Sequence, residues 1–569
     1  SSVSTDFQAA LGKIPLVLTL AYEMDETAAL SHIAIGESHF LESWGDDESV
    51  EGFFAIQQPA IEPLFDTKSL GELLLSWSGS SKDYRLFVQD FWRDKSQAAN
   101  FDSWWKEKLQ KGFWKEAVSS SALKPKWSGA AAMLEQKSSK ESSEIELATY
   151  FSVAMGDGRY ANNAWRQELP DPVTKVTWNN FAAISSALAK KLNLDEKSVI
   201  KVSSLSGQME LPVFIQPGLR DDVVAVALGY GRKKSGSIGT AVGQNAFQFS
   251  GRSSTGVVVA AGLPVQVTKT DREYELASTQ THFHLHGRDF DILQRLELDE
   301  FKKNPAAAKT GHKIQTFSIY NEKEFVYPGN KWGMAIDLNK CTGCQACIVA
   351  CYSENNVAVV GEDQVRKGRH LAWLRLDLYY SGDEASPEAD FEPMLCQHCD
   401  LAPCETVCPV LATVHSADGL NDMSYNRCVG TRYCANNCPY KVRRFNYFFY
   451  SNKLADKIEV SDESPLSLML NPDVTVRSRG VMEKCTFCVQ RIRKTVASLS
   501  AEGVNKVPDG AIKTACQQSC PADAIEFGNL NDPEARVTKM AEKAQVFKVL
   551  EVLNTRPNIS YLPRVRNKG

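Results

Sequence analysis

Fifteen cysteines lie between Cys341 and Cys520, in groups of four, four, three and four, and none precedes them in the chain. The groups are Cys341, Cys344, Cys347 and Cys351; Cys396, Cys399, Cys404 and Cys408; Cys428, Cys434 and Cys438; and Cys485, Cys488, Cys516 and Cys520. Proline follows the last cysteine of three of them, at Pro409, Pro439 and Pro521. Thiolates spaced two residues apart can wrap one corner of an iron–sulfur cube, while the fourth reaches a neighbouring cube. The pattern therefore predicts several paired clusters and a fold organised around them. Zinc sites use ligands in two pairs, which Cys341–Cys351 does not provide. A disulfide framework belongs to small secreted domains and fits an odd count badly.

The third group breaks the pattern. Cys428-Val-Gly-Thr431-Arg-Tyr-Cys434 puts threonine where the middle ligand belongs. A hydroxyl is a hard, weakly acidic donor and does not replace a soft thiolate on iron. The expected outcome is a cluster lacking iron at that corner, a [3Fe-4S] centre; a cubane completed by water or an unusual ligand is the other reading. Basic residues crowd the groups: Arg432, Lys441, Arg443, Arg444, Lys484, Arg491 and Arg493. They either tune cluster potentials or form ordinary surface ion pairs.

At 569 residues the chain is long enough for several domains. A net charge of −5 gives no support to nucleic-acid binding, and no nucleic-acid partner is expected. Apolar runs such as Ile14–Leu20 fall short of the ~18–20 residues that cross a bilayer, so any membrane association is expected through partners or through a segment outside this sequence. The chain opens at Ser1 without a signal-like segment, as a processed or partial chain would. Helical stretches at Leu70–Trp77 and Tyr84–Trp92 among short apolar runs predict an α/β domain over 1–180. β-Branched segments at Val199–Val202, Leu211–Gln216, Val223–Leu228 and Val257–Ala261 predict a β-barrel-like domain over 181–290. Ser119–Ser143 reads as a surface loop, Asn162–Asn180 as a connection between domains, and 291–324 as a linker. Residues 325–569 form the four-cluster module, with Pro533–Leu553 as a closing helix.

Four stretches carry a specific resemblance: Trp332–Asn356 (WGMAIDLNKCTGCQACIVACYSENN), Cys396–Asn421, Tyr425–Phe445 and Arg479–Ile492. They resemble the four-cluster electron-transfer subunits of the molybdopterin oxidoreductase superfamily. They are most similar to the iron–sulfur half of the B subunits of bacterial alternative complex III, over residues 325–565. The resemblance implies a double ferredoxin-like α+β domain holding three [4Fe-4S] clusters and one [3Fe-4S] cluster. Cys341, Cys344, Cys347 and Cys520 would hold one cubane, Cys485, Cys488, Cys516 and Cys351 a second, and Cys396, Cys399, Cys404 and Cys438 a third. Cys428, Cys434 and Cys408 would hold the three-iron cluster beside Thr431.

Asn162–Asn180 (NNAWRQELPDPVTKVTWNN) and Leu211–Arg232 resemble the C-terminal part of molybdopterin-binding catalytic subunits, in truncated form, over about residues 20–290. In alternative complex III such a domain is fused to the iron–sulfur module and lacks the cofactor, so no molybdopterin is expected. Gly229-Tyr-Gly231 reads as a tight turn rather than a phosphate loop. His282, His284 and His286 alternate as a metal site on a strand would, but also as plain polar residues on a strand face. Asp46 with Asp47, and Asp221 with Asp222, read as solvated turns. The resemblance implies an electron-transfer subunit, without a catalytic site of its own, of a quinol:electron-acceptor oxidoreductase on the periplasmic face of the bacterial inner membrane. Its partners would be an integral-membrane quinol-binding subunit, multihaem and monohaem cytochrome c subunits, and a terminal oxidase. The alternative is a molybdopterin-dependent reductase of polysulfide or tetrathionate type with fused iron–sulfur wiring.

Overall fold

The computed structural model describes residues 4–118, 145–252, 258–307, 326–504 and 506–567. The expected loop Ser119–Ser143, half of the expected linker (308–324) and Val257 lie outside them. The chain divides into two units, Ser1–Ser143 with Lys233–Gly236, and Glu144–Arg232 with Ser237–Gly569.

In the first unit the helices begin where the sequence offers caps. Ser69 accepts from the Glu72 amide while Glu72 reaches back to the Ser69 amide (2.7 Å), a capping box that starts Leu70–Trp77. Asp83 caps Tyr84–Ser96 by accepting from the Leu86 amide, and Asn100 caps Phe101–Lys111 by accepting from the Ser103 amide. These helices accompany an antiparallel sheet of Gly45–Val50, Phe53–Gln57 and Phe113–Lys115. Phe54, Trp92, Trp105 and Trp114 form the core between them, and Trp92 Nε1 donates to Asp46 (2.8 Å).

The second unit opens with a mixed seven-stranded sheet in the order Leu263–Pro264, Glu146–Phe151, Val223–Leu228, Ala182–Ile184, Gly207–Ile215, Ser198–Ser204, Gln266–Glu273. Leu147, Ile200, Val202, Leu211, Val213, Val224 and Val226 are completely buried at alternate positions, the period-two pattern of a sheet with one covered face. The two edge strands are separated in sequence by Val265 alone. The sheet therefore curls as a half-barrel until one residue spans from edge to edge. Glu146–Phe151, expected with the first 180 residues, belongs to this sheet.

The cysteine-rich part is built on a three-stranded sheet, with Trp332–Asp337 between Ile525–Asn529 and Ile559–Leu562. A hairpin of Arg375–Ser381 and Glu388–Met394 flanks it. A fully buried ion pair joins Arg477 and Glu483 (2.9 Å). Arg477 also donates to the Asn355 and Asn356 carbonyls, and Glu483 accepts from Asn446 and from Trp373 Nε1. Two expectations differ from the structure. Residues 291–307, read as linker, contain strand Arg295–Glu297, which pairs in parallel with Arg564–Arg566, and helix Leu298–Lys303. Pro533–Leu553 is not one helix: only Arg536–Ala541 and a turn at Glu551–Leu553 are helical. Between them Val546, Phe547 and Val549 are buried, and Phe547 bridges to Tyr561, so core contacts replace the helix.

Candidate functional site

Each cysteine group uses the same turn. Two places after the first cysteine the backbone is left-handed in all four: Gly343 (φ 76°), His398 (φ 44°), Gly430 (φ 73°) and Phe487 (φ 53°). Glycine adopts this freely, whereas His398 and Phe487 carry a steric cost of about 1–2 kcal/mol, so the turn is kept despite strain. Thr431 follows Gly430 as Cys344 follows Gly343, Cys399 follows His398 and Cys488 follows Phe487. The next residue is left-handed again at Gln345 and Arg432. Each is the N-cap of the helix that carries the following cysteine, Cys347 or Cys434. Thr431 thus occupies the middle-ligand position of the turn.

Two sets of cysteines border cavities. Cys396, Cys399, Cys404 and Cys438 line one together with Asn421 and Arg443. Cys408, Cys428 and Cys434 line another together with Thr431, Thr413 and Met423. The other cysteines meet through their charges. Burial pushes the Cys347 thiol well up, and Cys516, Cys341, Cys344 and Cys520 add to it. Burial likewise raises Cys351, helped by Cys485, Cys488 and Cys516. Cys516 thus neighbours both sets. Among the described residues no three His, Cys, Asp or Glu side chains close on one metal-ion position; the thiols ring volumes instead.

The donor set fits iron–sulfur clusters. Burial pushes Cys404 and Cys488 to about 12 and Cys399 and Cys485 well up. Thiols held this way ionise when a metal takes the place of the proton. Backbone amides point at sulfur: Ala412 at Cys408 (3.2 Å), Phe487 at Cys485 (3.4 Å), Ala515 at Cys488 (3.4 Å) and Ala524 at Cys520 (3.3 Å). Such bonds stabilise thiolate and reduced cluster alike. Cys408 differs from the rest. Burial acts to raise it, but the amides of Val410, Ala412 and Thr413 outweigh burial and hold it below the usual thiol range.

Side-chain donors to sulfur escape the sequence reading. Asn355 Nδ2 lies 3.6 Å from Cys351 Sγ and 3.8 Å from Cys488 Sγ. Its place four residues beyond Cys351, on one helix face, is the signal that could have found it. Thr514 Oγ1 lies 3.2 Å from Cys516 Sγ. The basic residues separate into kinds. Arg443 is buried against Cys404 Sγ (3.4 Å). Lys484, also buried, donates to the Cys485 carbonyl. Arg444 donates to the Ala372 carbonyl, and Lys441 to that of Asn436. Arg491 pairs with Glu354 and Arg493 with Asp422. Arg432 lies over the Phe445 and Tyr447 rings.

Asn162–Asn180, expected as a connection, is a largely buried packing element. Gln345 Nε2, inside the first cysteine group, donates to the Pro170 carbonyl (2.5 Å). Glu168 is fully buried and accepts from the amides of Val360 and Gly361 and from Trp178 Nε1. His282, His284 and His286 are exposed, and the His284 and His286 rings stand 6.0 Å apart. Gly229 and Gly231 are packing glycines: a Cβ on Gly231 would meet the Asn245 amide at 2.1 Å.

The 4Fe-4S dicluster domain family matches at residues 340–412, and a second family of the same description at 387–454. The iron–sulfur cluster-binding subunit of menaquinone reductase from Nitratidesulfovibrio vulgaris is 41% identical over 41% of this chain and 89% of its own length. The iron–sulfur subunit of a putative dimethyl sulfoxide reductase from Halobacterium salinarum is 35% identical, over 41% of this chain and 78% of its own length. Iron–sulfur subunit 1 of the Hdr-like menaquinol oxidoreductase of Archaeoglobus fulgidus is 32% identical, over 42% and 85%. Among solved structures, acetylene hydratase from Pelobacter acetylenicus aligns at TM-score 0.34 and 13% identity over 46% of this chain and 41% of that one, too loosely to bear on function.

Proposed function

The chain belongs to the 4Fe-4S iron–sulfur subunits of oxidoreductase complexes, and on that premise we propose that it serves a membrane-bound quinol:electron-acceptor oxidoreductase of the alternative complex III type. Cys341, Cys344, Cys347 and Cys520 hold one [4Fe-4S] cluster, Cys485, Cys488, Cys516 and Cys351 a second, and Cys396, Cys399, Cys404 and Cys438 a third. Cys408, Cys428 and Cys434 hold a [3Fe-4S] cluster beside Thr431. When bound, the clusters supply one-electron redox chemistry, relaying electrons from quinol oxidised in an integral-membrane subunit toward haem c subunits. The chain sits on the periplasmic face and binds no molybdopterin.

One observation carries the reading. Val429, which lines the Cys408–Cys428–Cys434 cavity, and Leu411 and Tyr433, chain neighbours of other lining residues, are 64%, 62% and 55% exposed. Large apolar side chains left in water around a redox site fit a surface covered by a partner. No described helix is long and apolar enough to cross a membrane, so the proposed role needs a membrane subunit, which that collar would meet.

Metal analysis and EPR of the purified complex test the proposal. About fifteen iron atoms per chain, a three-iron signal in the air-oxidised protein and no molybdenum are expected. Stoichiometric molybdenum would instead favour a reductase of the polysulfide or tetrathionate type. An EPR-silent oxidised protein removes the three-iron assignment.

A further inference from the structure

Arg443 is placed unlike any other cation of the module. Its side chain is buried, lines the Cys396–Cys438 cavity and reaches two residues that line the Cys408–Cys434 cavity. Nη1 lies 3.4 Å from Cys404 Sγ and 3.4 Å from Asn421 Oδ1, both on the Cys396–Cys438 cavity. Nη2 donates to Thr413 Oγ1 (2.7 Å) and lies 3.3 Å from Met423 Sδ, both on the Cys408–Cys434 cavity. Its Nε has no partner among the described residues. No carboxylate is among these contacts, so the guanidinium charge is balanced by sulfur.

We propose that Arg443 is a positioning residue shared by two clusters. Its fixed charge raises the reduction potentials of the Cys396–Cys399–Cys404–Cys438 and Cys408–Cys428–Cys434 sites together, so that the pair forms one electron-accepting step. The physical reason is that reduction adds one negative charge to a cluster core. A buried cation on a ligand sulfur stabilises that charge without solvent screening, and a planar fork reaches two walls where a point charge reaches one. The other basic residues do not combine these features. Lys484 donates to a backbone carbonyl, and Arg491 is neutralised by Glu354.

The inference rests on the cluster assignment proposed above, and potentiometric EPR with iron analysis separates the two. Wild-type complex without cluster signals from these sites removes the assignment. Clusters that are present but indifferent to Arg443 remove only the inference. In R443Q the reduced-to-oxidised ratio of both clusters at fixed poise should fall at least tenfold, about 59 mV for a one-electron couple, with the iron count unchanged. R443K, which keeps the charge but loses the fork's contacts with both walls, should shift both clusters by a smaller amount, between about twofold and tenfold. If R443Q loses iron, R443K decides alone. Unchanged potentials, or a shift confined to one cluster, overturn the shared role.

Discussion

The two cavities that Arg443 reaches are built alike and treated differently by the fold. Around the first, all four thiols are buried. Around the second, Cys408 and Cys428 are half-buried, Thr431 is exposed, and the rim is Leu411, Val429 and Tyr433. The turn is the same in both, left-handed at His398 and at Gly430. What differs is the residue after the turn, Cys399 in one and Thr431 in the other. The left-handed residue that begins the turn is therefore kept while a ligand, the spacing to the next cysteine and the surroundings change. A closed site isolates its cofactor; an open one with an apolar rim is made to be covered.

The sharpest way to break this comparison is to make the two turns identical. T431C should abolish the three-iron EPR signal and add one iron per chain, because the position already has the backbone of a ligand. A three-iron signal that persists at full strength would mean that Thr431 does not define the site. Next is the rim: L411D with Y433S should weaken attachment to the membrane partner at least tenfold in co-purification, with the iron count unchanged, since both side chains are already in water. Equal recovery of the partner would show that the open side faces something else.

A third test addresses the closed interior. R477M removes one member of a fully buried ion pair and leaves Glu483 uncompensated, which should cost about 3–5 kcal/mol in denaturant unfolding. The same exchange at Arg432, an exposed residue lying over half-buried rings, should cost less than about 1 kcal/mol. The smallest effect is a slope with pH. Burial lifts Glu168 from 4.5 to about 8, so the folded chain holds its proton more tightly than the unfolded chain. Its contribution to stability is complete below about 4.5 and is lost as pH rises through about 8. E168Q should flatten that part of the stability profile; an unchanged slope would assign it to other groups.

The cysteine groups were legible because a turn and a short helix fix three ligands within a few residues. The departure at Thr431 was legible for the same reason. Val223–Leu228 was legible as a strand because β-branched residues between turn formers mark a covered sheet. Other features depend on residues far apart in the chain. Arg295–Glu297 is a strand only because Arg564–Arg566 pairs with it, and polar side chains at both edges hide the pairing. The segment after Ala541 has helical composition but gives way to contacts of Phe547 with Tyr561. Arg443 is one arginine among seven basic residues in sequence, and its burial is a tertiary fact. Asn162–Asn180 reads as a connector from its prolines, although packing on the first cysteine group makes it interior.

The bond from Gln345 to the Pro170 carbonyl joins residues 175 positions apart. During synthesis from the N-terminus at about 5–20 residues per second, Pro170 emerges on the order of ten to thirty seconds before Gln345 does. Throughout that interval the segment carrying Glu168 and Trp178 lacks its later contacts, Val360 and Gly361 among them. That segment therefore reaches its packed state only after the start of the cysteine-rich part has been made.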